Sequence, residues 1–250
     1  GDTSEEITQV RITGIPAGAT IAAGTVPGAT IDQSVPGQIT VTGTSEAVIR
    51  SALNTLTIVP PQHSDTDITL GVAVTVRDND PNNVAHTTSQ TFNGTHTITV
   101  AAVADAPTVS ATASGTEDNP IPLAITAGLV DTDGSETYDF AEITLPTGVT
   151  LNLPGVLPNG ILMTTAGNVV TFRPGTATTA QFEAFLSTGI RMNPPLDSDV
   201  DFNVTVRVGT IESTLSGGQV ALLRNETSTT ITAEVRPVVD TPAINSTSTV

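Results

Sequence analysis

The sequence contains two copies of one unit, and this internal repeat constrains the fold more than any other feature. Three motifs return in the same order: GIPAGAT at 14–20 as TLPTGVT at 144–150, PP with SDTD at 60–67 as PP with SDVD at 194–201, and VADAP at 103–107 as VVDTP at 238–242. The displacement grows only from 130 to 135 residues, so the copies differ by small loop insertions. A chain of this kind is expected to fold as tandem domains of one architecture.

The two copies differ in extent. Aligning Ser4 and Glu5 with Ser135 and Glu136 leaves the first copy without a counterpart of residues 106–132. The sequence therefore predicts a repeat at 1–104 that lacks its first strand, a complete repeat at 105–239, and a linker with the start of a third repeat at 240–250. Because the last ten residues repeat the opening of the second copy, we expect the chain to come from a longer tandem array.

Each copy has the pattern of a β-sandwich. Short segments rich in Val, Ile and Thr alternate with clusters of Gly, Pro, Asn and Asp, which is typical of strands joined by tight turns. One segment per copy differs, because Ile49 and Leu53, like Phe182 and Leu186, stand four residues apart, as one face of a helix requires. The predicted fold class is all-β, with tandem β-sandwich domains arranged end to end and one short helix in each.

The charge balance excludes some partners and indicates one cofactor. The chain has no Cys and no Lys, and its 8 Arg stand against 25 Asp and Glu, for a formal net charge of −17. The lack of Cys excludes disulfides and thiolate metal sites, and so acidic a chain repels nucleic acid. Its carboxylates repel one another in a compact fold unless cations screen them, which makes Ca²⁺ the expected cofactor. No apolar run is long enough to span a membrane, so we expect no membrane insertion.

The acidic residues are concentrated in motifs with a spacing suited to calcium. Asp131, Asp133 and Glu136 surround Gly134 in DTDGSE, where a glycine turn directs alternate oxygens at one ion, and calcium prefers about six to eight such hard ligands. An exposed turn loop stabilised by its own Asp side chains is the alternative. The other acidic clusters are Glu117 with Asp118, Asp197 with Asp199 and Asp201, and the junction residues Asp105 and Asp240.

Together these motifs resemble the cadherin-like, or Ig-like, extender repeats of giant bacterial RTX adhesins exported by type I secretion. The resemblance is carried by VADAP at the junction, GTEDNPIPL at 115–123, DTDGSET at 131–137, the GIPAGAT turn and PPxxSDxD. It implies a calcium-rigidified extender region on the bacterial cell surface that projects a distal adhesive domain in adhesion and biofilm formation. The implied partners are neighbouring repeats of the same chain and a glycan or protein bound through another domain.

In cadherin-like tandems, calcium lies where one domain meets the next, and this implies two ligand sets. The ligands implied at the first junction are Asp105, Asp131, Asp133, Glu136, Asp65 and Asp67. Those implied at the second are Glu117, Asp118, Asp199, Asp201 and Asp240, with Asp197 a weaker candidate because the first copy has His63 in its place. The partner loop of the second junction belongs to the third copy, so this site is expected to be incomplete.

Four further features bear on function. The second copy carries an insertion at 152–167 with the apolar residues Leu153, Val156, Leu157, Ile161 and Met163, which is either a surface for a glycan or protein or an ordinary hairpin over the core. The acidic loop at 78–83 is either a private ion site or a plain hairpin loop. The missing strand opens an edge that residues 241–250 of another molecule could complete, although we expect a monomer. Scarce aromatics and the lack of a nucleophile elbow predict no enzymatic activity.

Overall fold

The computed structural model describes residues 4–80, 86–131, 134–216 and 219–241. The chain divides into two compact units, unit 1 at residues 1–102 and unit 2 at residues 103–250. Both are built mainly of β-strands, and among the described residues each contains one short α-helix. The predicted fold class, all-β with one helix per repeat, is confirmed. Residues 242–250, in which a third repeat is predicted to start, lie outside the described residues, as do residues 81–85 of the acidic loop.

Unit 1 forms two antiparallel sheets among its described residues. The larger sheet has the strand order β3-β4-β1-β6-β7, and the smaller one pairs β2 with β5. In chain order the elements are β1 (Glu5–Thr13), β2 (Thr20–Ala22), β3 (Ala29–Asp32), β4 (Gln38–Gly43), α1 (Glu46–Leu53), β5 (Thr57–Val59), β6 (Ile68–Asp78) and β7 (Thr88–Ile98). The buried core cluster is small and consists of Val10, Ile39, Val41, Ile49 and Ala52.

Unit 2 joins its strands into one sheet that folds around a larger core. The strand order is β11-β14-β9-β8-β16-β15-β10-β13-β12, and every neighbouring pair is antiparallel except β8 with β16. The elements are β8 (Thr108–Thr116), β9 (Ile121–Gly128), β10 (Glu136–Thr144), β11 (Thr150–Asn152), β12 (Leu162–Ala166), β13 (Val169–Arg173), α2 (Thr179–Thr188), β14 (Arg191–Asn193), β15 (Phe202–Ser216) and β16 (Gln219–Arg236). Phe172, Phe182 and Leu123 are among the fully buried side chains of this sandwich-like core.

The internal repeat is visible in strand order and in register. Taken in the order β2-β5, then β7-β6-β1-β4-β3, unit 1 has the strand order of unit 2 with β8 and β9 left out. A β-bulge interrupts the pairing at the same point in both units, between Ile7 and Gln9 in β1 and between Tyr138 and Phe140 in β10. The sheets therefore align the two sequences as the motifs do.

Both predicted helices are confirmed, and their N-cap residues explain where they begin. The Ser45 side chain accepts a hydrogen bond from the Val48 N–H before α1, and Thr178 forms a reciprocal capping box with Gln181 before α2. The residues that these helices bury are Ile49 and Ala52 in α1 and Phe182, Phe185 and Leu186 in α2. Among the described residues, no helix has the length and apolar character needed to cross a membrane.

Candidate metal centre

Three carboxylates lie buried in unit 2 at the place where β10 begins. Glu136 is the first residue of β10 and is paired in register with Glu212 of β15. Asp131 lies in the DTDGSE loop that leads into β10. The exposed fractions of Asp131, Glu136 and Glu212 are 3%, 3% and 1%. Burying several negative charges together is costly unless cations or hydrogen-bond donors compensate them. This cluster, which we call the β10 cluster, is therefore the first candidate for a cation site.

The segment that enters unit 2 is bound to the β10 cluster through its backbone. The Asp105 N–H donates to Glu136 Oε1 over 2.8 Å, and the Thr210 hydroxyl donates to the Asp105 carbonyl over 2.7 Å. The Asn225 amide donates to the carbonyl of Ala104 over 3.0 Å. A carboxylate oxygen of Asp105 and one of Asp131 lie within 4.8 Å of each other. The structure thus brings together Asp105, Asp131 and Glu136 of the predicted first ligand set.

The second oxygen of Glu136 provides a test of whether a cation fits the cluster. Glu136 Oε2 is buried and has no hydrogen-bond partner among the described residues. Burial raises the pKa of Glu136, and the nearby N–H groups of Asp105 and Asp131 oppose this rise. A hard divalent cation would satisfy the buried oxygen and favour the ionised carboxylate, as Ca²⁺ does with oxygen ligands. The donor set therefore fits calcium.

Three arginines in the described part of unit 2 form ion pairs with carboxylates outside the β10 cluster. Arg207 binds Glu142 and Glu226, with its nitrogens 2.9 to 3.2 Å from their carboxylate oxygens, and its guanidinium lies 4.9 Å from the ring centre of Phe140. Arg173 and Arg224 both pair with Asp139. The chain has no Lys, and a metal ion would add positive charge beside the buried carboxylates of the β10 cluster.

A second group of carboxylates lies near the end of unit 2. Asp118, Asp197 and Asp240 are all exposed, and one oxygen from each lies within 4.8 Å of the others. The Asp197 N–H donates to Asp118 Oδ1 over 3.1 Å. Asp118 and Asp197 both have a positive φ, of 62° and 54°, a conformation that Asp tolerates better than most residues do. The structure thus brings Asp197, the weaker candidate, together with two residues of the predicted second set.

Other predicted ligands have contacts with the backbone. Glu117, with 6% of its surface exposed, accepts the Val238 N–H at Oε1 over 2.7 Å. Asp201 Oδ1 accepts the Val235 N–H over 2.8 Å, and in unit 1 Asp67 Oδ1 accepts the Val100 N–H over 3.0 Å. The bonds of Asp201 and Asp67 occupy equivalent positions in the two repeats, and each holds the chain at the end of the last strand of its unit.

Six predicted ligands fall outside the close groups of metal-binding side chains among the described residues, and a seventh cannot be placed. The six are Asp65, Asp67, Glu117, Glu136, Asp199 and Asp201, of which Glu136 accepts the Asp105 N–H. Asp133 lies outside the described residues. The two ligand sets therefore remain predictions, of which the described part of unit 2 assembles Asp105 with Asp131 and Glu136, and Asp118 with Asp240.

Glu212 is the residue that sequence reasoning missed. It lies in the middle of a strand, in TIEST, and no acidic motif surrounds it. The signal that could have found it is the two-residue alternation of side chains along a strand. Glu212 shares the buried face of β15 with every second residue before it, namely Val204, Val206, Val208 and Thr210. A lone acid on the buried face of a strand indicates a compensating partner. In unit 1 the pair equivalent to Glu136 and Glu212 is Glu5 and Asp78, and both are exposed.

No family model and no curated protein matches the sequence. Among solved structures, the chain is similar to PcdhgB3 EC1-4, with 16% identity, a TM-score of 0.32 and coverage of 91% of this chain and 42% of that one. It is also similar to the Protocadherin GammaB4 extracellular domain, with 10% identity, a TM-score of 0.24 and coverage of 88% and 27%. The chain is also similar to an endo-fucoidan hydrolase from glycoside hydrolase family 107, with 14% identity, a TM-score of 0.14 and coverage of 89% of this chain and 24% of that one.

The chain spans less than half the length of each of these structures. At these TM-scores the matches carry no argument about fold or function. The fold is therefore defined by the sheets described above, and the functional argument is based on the carboxylate clusters of unit 2.

Proposed function

We propose that this chain is a structural extender region of an extracellular adhesin on a bacterial cell surface, in which Ca²⁺ rigidifies tandem cadherin-like domains. The sequence motifs and the all-β repeat support this proposal. The observation that carries it is the β10 cluster, where Asp131, Glu136 and Glu212 are buried beside the segment that enters unit 2. The proposal assigns no catalytic role to the chain.

Calcium at the β10 cluster gives a mechanism for stiffening. The backbone N–H of Asp105 donates to Glu136, and the side-chain carboxylate of Asp105 lies near that of Asp131. An ion shared by Asp105 and Asp131 would therefore hold this segment against unit 2. Bending the chain at Asp105 would then cost metal coordination. Extracellular calcium modules typically bind with dissociation constants of about 10⁻⁴–10⁻³ M, so the region is stiff at millimolar calcium and flexible when calcium is removed.

Calcium titration calorimetry on the chelated chain, paired with small-angle scattering of the free and saturated forms, tests the proposal. We expect saturable binding, a more extended and stiffer scattering profile with calcium, and loss of the tightest binding step in Asp131→Asn. Glu234→Gln is the matched control, because Glu234 is an exposed acid of unit 2 that forms an ion pair with Arg236 and belongs to neither predicted ligand set. An absence of binding at millimolar calcium would contradict the proposal.

A second candidate function, recognition of a glycan or protein by unit 2, is supported by the insertion at 152–167. Ile161 is buried in the core, as a covering hairpin requires, but 86% of Val156 and 47% of Met163 are exposed. A cleft of about 440 Å³ lies beside the insertion, lined by Leu153, Met163 and Val170 among others. A glycan array probed with the intact chain separates the candidates, because specific hits favour recognition and silence favours the extender.

A further inference from the structure

The nine-stranded sheet of unit 2 ends in two edge strands, and the cleft beside the insertion lies between them. β11 and β12 stand at the two ends of the strand order, and among the described residues β11 pairs only with β14 and β12 only with β13. The cleft is lined by residues of both edge strands, including Leu151 of β11 and Met163 and Thr165 of β12. Its lining also includes the core residues Val149 and Val170. The gap between β11 and β12, which we call the seam, therefore reaches the core.

β12 has backbone hydrogen-bonding groups along the seam that its own sheet does not use. A two-residue turn at 167–168 joins β12 to β13, and such a turn is closed by a hydrogen-bonded pair of residues, here Ala166 and Val169. Opposite residues of an antiparallel pair are alternately bonded and non-bonded. The N–H and C=O groups of Met163 and Thr165 therefore point away from β13, towards the free edge.

The pairing on the other side of β13 agrees with this alternation. The Leu145 N–H donates to the Asn168 carbonyl over 2.9 Å, so β13 bonds to β10 through Val170 and Phe172, the next alternate residues. The residues between them bond to β12. Met163 and Thr165, which lie opposite Phe172 and Val170, are thus the non-bonded positions of β12.

The side chains of these two β12 residues lie on the core face of the strand but are exposed. Their opposite residues in β13, Phe172 and Val170, are buried in the core. Directly opposite residues of an antiparallel pair have their side chains on the same face, yet 47% of Met163 is exposed. A strand added beside β12 would cover the Met163 side chain and satisfy the free backbone groups together.

The seam is uncharged, which is unusual for this chain. No residue from Ile143 to Phe172 is charged, and this stretch contains every residue that lines the cleft. Exposed edge strands usually carry a charge or a proline that prevents pairing with another chain. In unit 1 the equivalent edge strand, β3, has Asp32 where β12 has Thr164, and β12 contains neither a charge nor a proline.

We propose that the seam of unit 2 binds an extended, uncharged segment of another protein, which adds to the free edge of β12 as a further strand. Its backbone would pair with Met163 and Thr165, and its alternate apolar side chains would enter the cleft towards Val170. A charged side chain is excluded from the inserted part, because it would lose its hydration in a cleft without a counter-charge.

The net charge of the chain argues against a second copy as the occupant. Each copy carries a net charge of −17, so two copies joined along β12 would repel each other. The proposal rests on the second candidate function, recognition by unit 2, and names the partner as an extended peptide segment. It does not depend on calcium.

A capped peptide of alternating valine and threonine residues, added to the intact chain in EDTA, tests the proposal. We expect saturable binding of one peptide per chain. Hydrogen exchange followed by NMR should show that the Met163 and Thr165 amides exchange quickly in the free chain and become protected when the peptide binds. An absence of binding, or binding that leaves both amides unprotected, would overturn the proposal.

Two N-methylated forms of this peptide distinguish strand addition from a general apolar contact. Only every second amide of an added strand faces β12. A peptide methylated on its valine nitrogens and one methylated on its threonine nitrogens should therefore differ at least about 10-fold in affinity, since only one of them keeps the groups that pair with β12. Equal affinity of the two methylated peptides would refute backbone recognition.

Met163→Asp and Thr164→Asp form a matched pair of variants. Each places one carboxylate on β12, but the Thr164 side chain lies on the opposite face from the cleft, at the position where β3 carries Asp32. Met163→Asp should weaken peptide binding at least about 10-fold, because the added strand would desolvate the carboxylate, and Thr164→Asp should bind like the native chain. Equal weakening by both variants would contradict the assignment.

A backbone variant protects this test against a folding defect. Melting curves identify any variant that fails to fold. Thr165→Pro removes an N–H that faces the free edge and leaves the bonds between β12 and β13 in place, so it should fold and lose peptide binding. A folded Thr165→Pro variant with native affinity would overturn the proposal.

The alternative occupants give different results. Self-association of the chain alone with protection of the Met163 and Thr165 amides would identify a second copy as the occupant and overturn the proposal. Glycan-array hits that Met163→Asp abolishes would keep recognition by unit 2 but assign the cleft to a glycan, which also overturns it. Failure of the peptide together with a silent array would remove both. None of these results depends on whether calcium binds.

Discussion

Replacing Glu136 by Gln separates the charge of this side chain from its packing. The two side chains have nearly the same volume, and Gln retains an oxygen that can accept the Asp105 N–H, which lies 2.8 Å from Glu136 Oε1. What changes is the negative charge, which is buried in the native protein together with those of Asp131 and Glu212. The variant is therefore expected to change stability in opposite directions with and without calcium.

The sign without metal follows from the pKa. Burial raises the pKa of Glu136 above its ordinary value of 4.5, so the folded protein holds this proton more tightly than the unfolded chain does. The contribution of Glu136 to stability is therefore present at low pH and is lost as the pH rises from its unfolded pKa through its folded pKa. In chelator at neutral pH, Glu136→Gln is expected to be at least as stable as the native protein, with a smaller loss of stability across that pH range.

The sign reverses when calcium is present, because the ion binds the ionised carboxylate. With a dissociation constant of about 10⁻⁴–10⁻³ M, 10 mM calcium exceeds it roughly 10- to 100-fold, which stabilises the folded state by about 1.4–2.7 kcal/mol. For a unit of this size, each kcal/mol shifts Tm by about 2–4 °C. Calcium should therefore raise the Tm of the native unit 2 by roughly 3–11 °C, and Glu136→Gln should lose most of that rise.

Differential scanning calorimetry in EDTA and in 10 mM calcium provides the measurement, at pH 7.5 and at a series of lower pH values. Glu234→Gln is the control, since it removes one exposed acid from the same unit and should keep the full calcium shift. Two results would refute the reasoning. One is a Glu136→Gln variant that retains the whole calcium-dependent rise in Tm, and the other is a variant in EDTA whose stability has the same pH dependence as the native protein.

Three further substitutions test the local structure, each by urea denaturation in chelator. Asp201→Ala should destabilise unit 2 by about 1–2 kcal/mol, because it removes the acceptor of the Val235 N–H, and Asp201→Asn should restore most of the loss. Gly14→Ala should cost unit 1 about 1–3 kcal/mol, because Gly14 has φ of 83° and an added Cβ would lie 2.7 Å from the Thr69 carbonyl oxygen. Thr178→Ala should cost about 1 kcal/mol by removing the N-cap of α2, whereas Thr178→Ser should be nearly neutral.

The sequence predicted those parts of the fold that depend on local patterns. The helices follow from the four-residue spacing of Ile49 with Leu53 and of Phe182 with Leu186, and the repeat alignment that pairs Glu5 with Glu136 is reproduced by the sheet register. These predictions succeeded because the side-chain period of a helix acts over a few residues. The acidic motifs likewise located Asp131 and Glu136, since a glycine turn between carboxylates is itself a local signal.

The parts that could not be predicted depend on which strands become neighbours. Glu212 joins the β10 cluster only because β15 pairs with β10 in the register that sets it opposite Glu136. Asp197 meets Asp118 across 79 residues of sequence. Conversely, Asp201 has the spacing of a metal ligand, but one of its oxygens accepts the Val235 N–H. Spacing along the chain gives no information about such long-range partners.

The β-bulge in β10 explains how carboxylates come to be buried in unit 2. Side chains alternate between the two faces of a strand, so a strict alternation that placed Ala141 and Ile143 inside would turn Glu136 and Tyr138 towards solvent. The bulge between Tyr138 and Phe140 adds one residue and shifts the alternation. Glu136 and Tyr138 are consequently buried on the same face as Ala141 and Ile143.

The same shift occurs in unit 1, where the bulge in β1 lies between Ile7 and Gln9. The bulge is therefore a general feature of the repeat, and it does not by itself bury carboxylates, because in unit 1 the aligned acids Glu5 and Asp78 are exposed. Burial in unit 2 needs in addition the segment around Asp105, whose N–H lies on Glu136. The candidate metal site thus requires two conditions together: a bulge that turns an acid inward, and an entering chain segment that covers it.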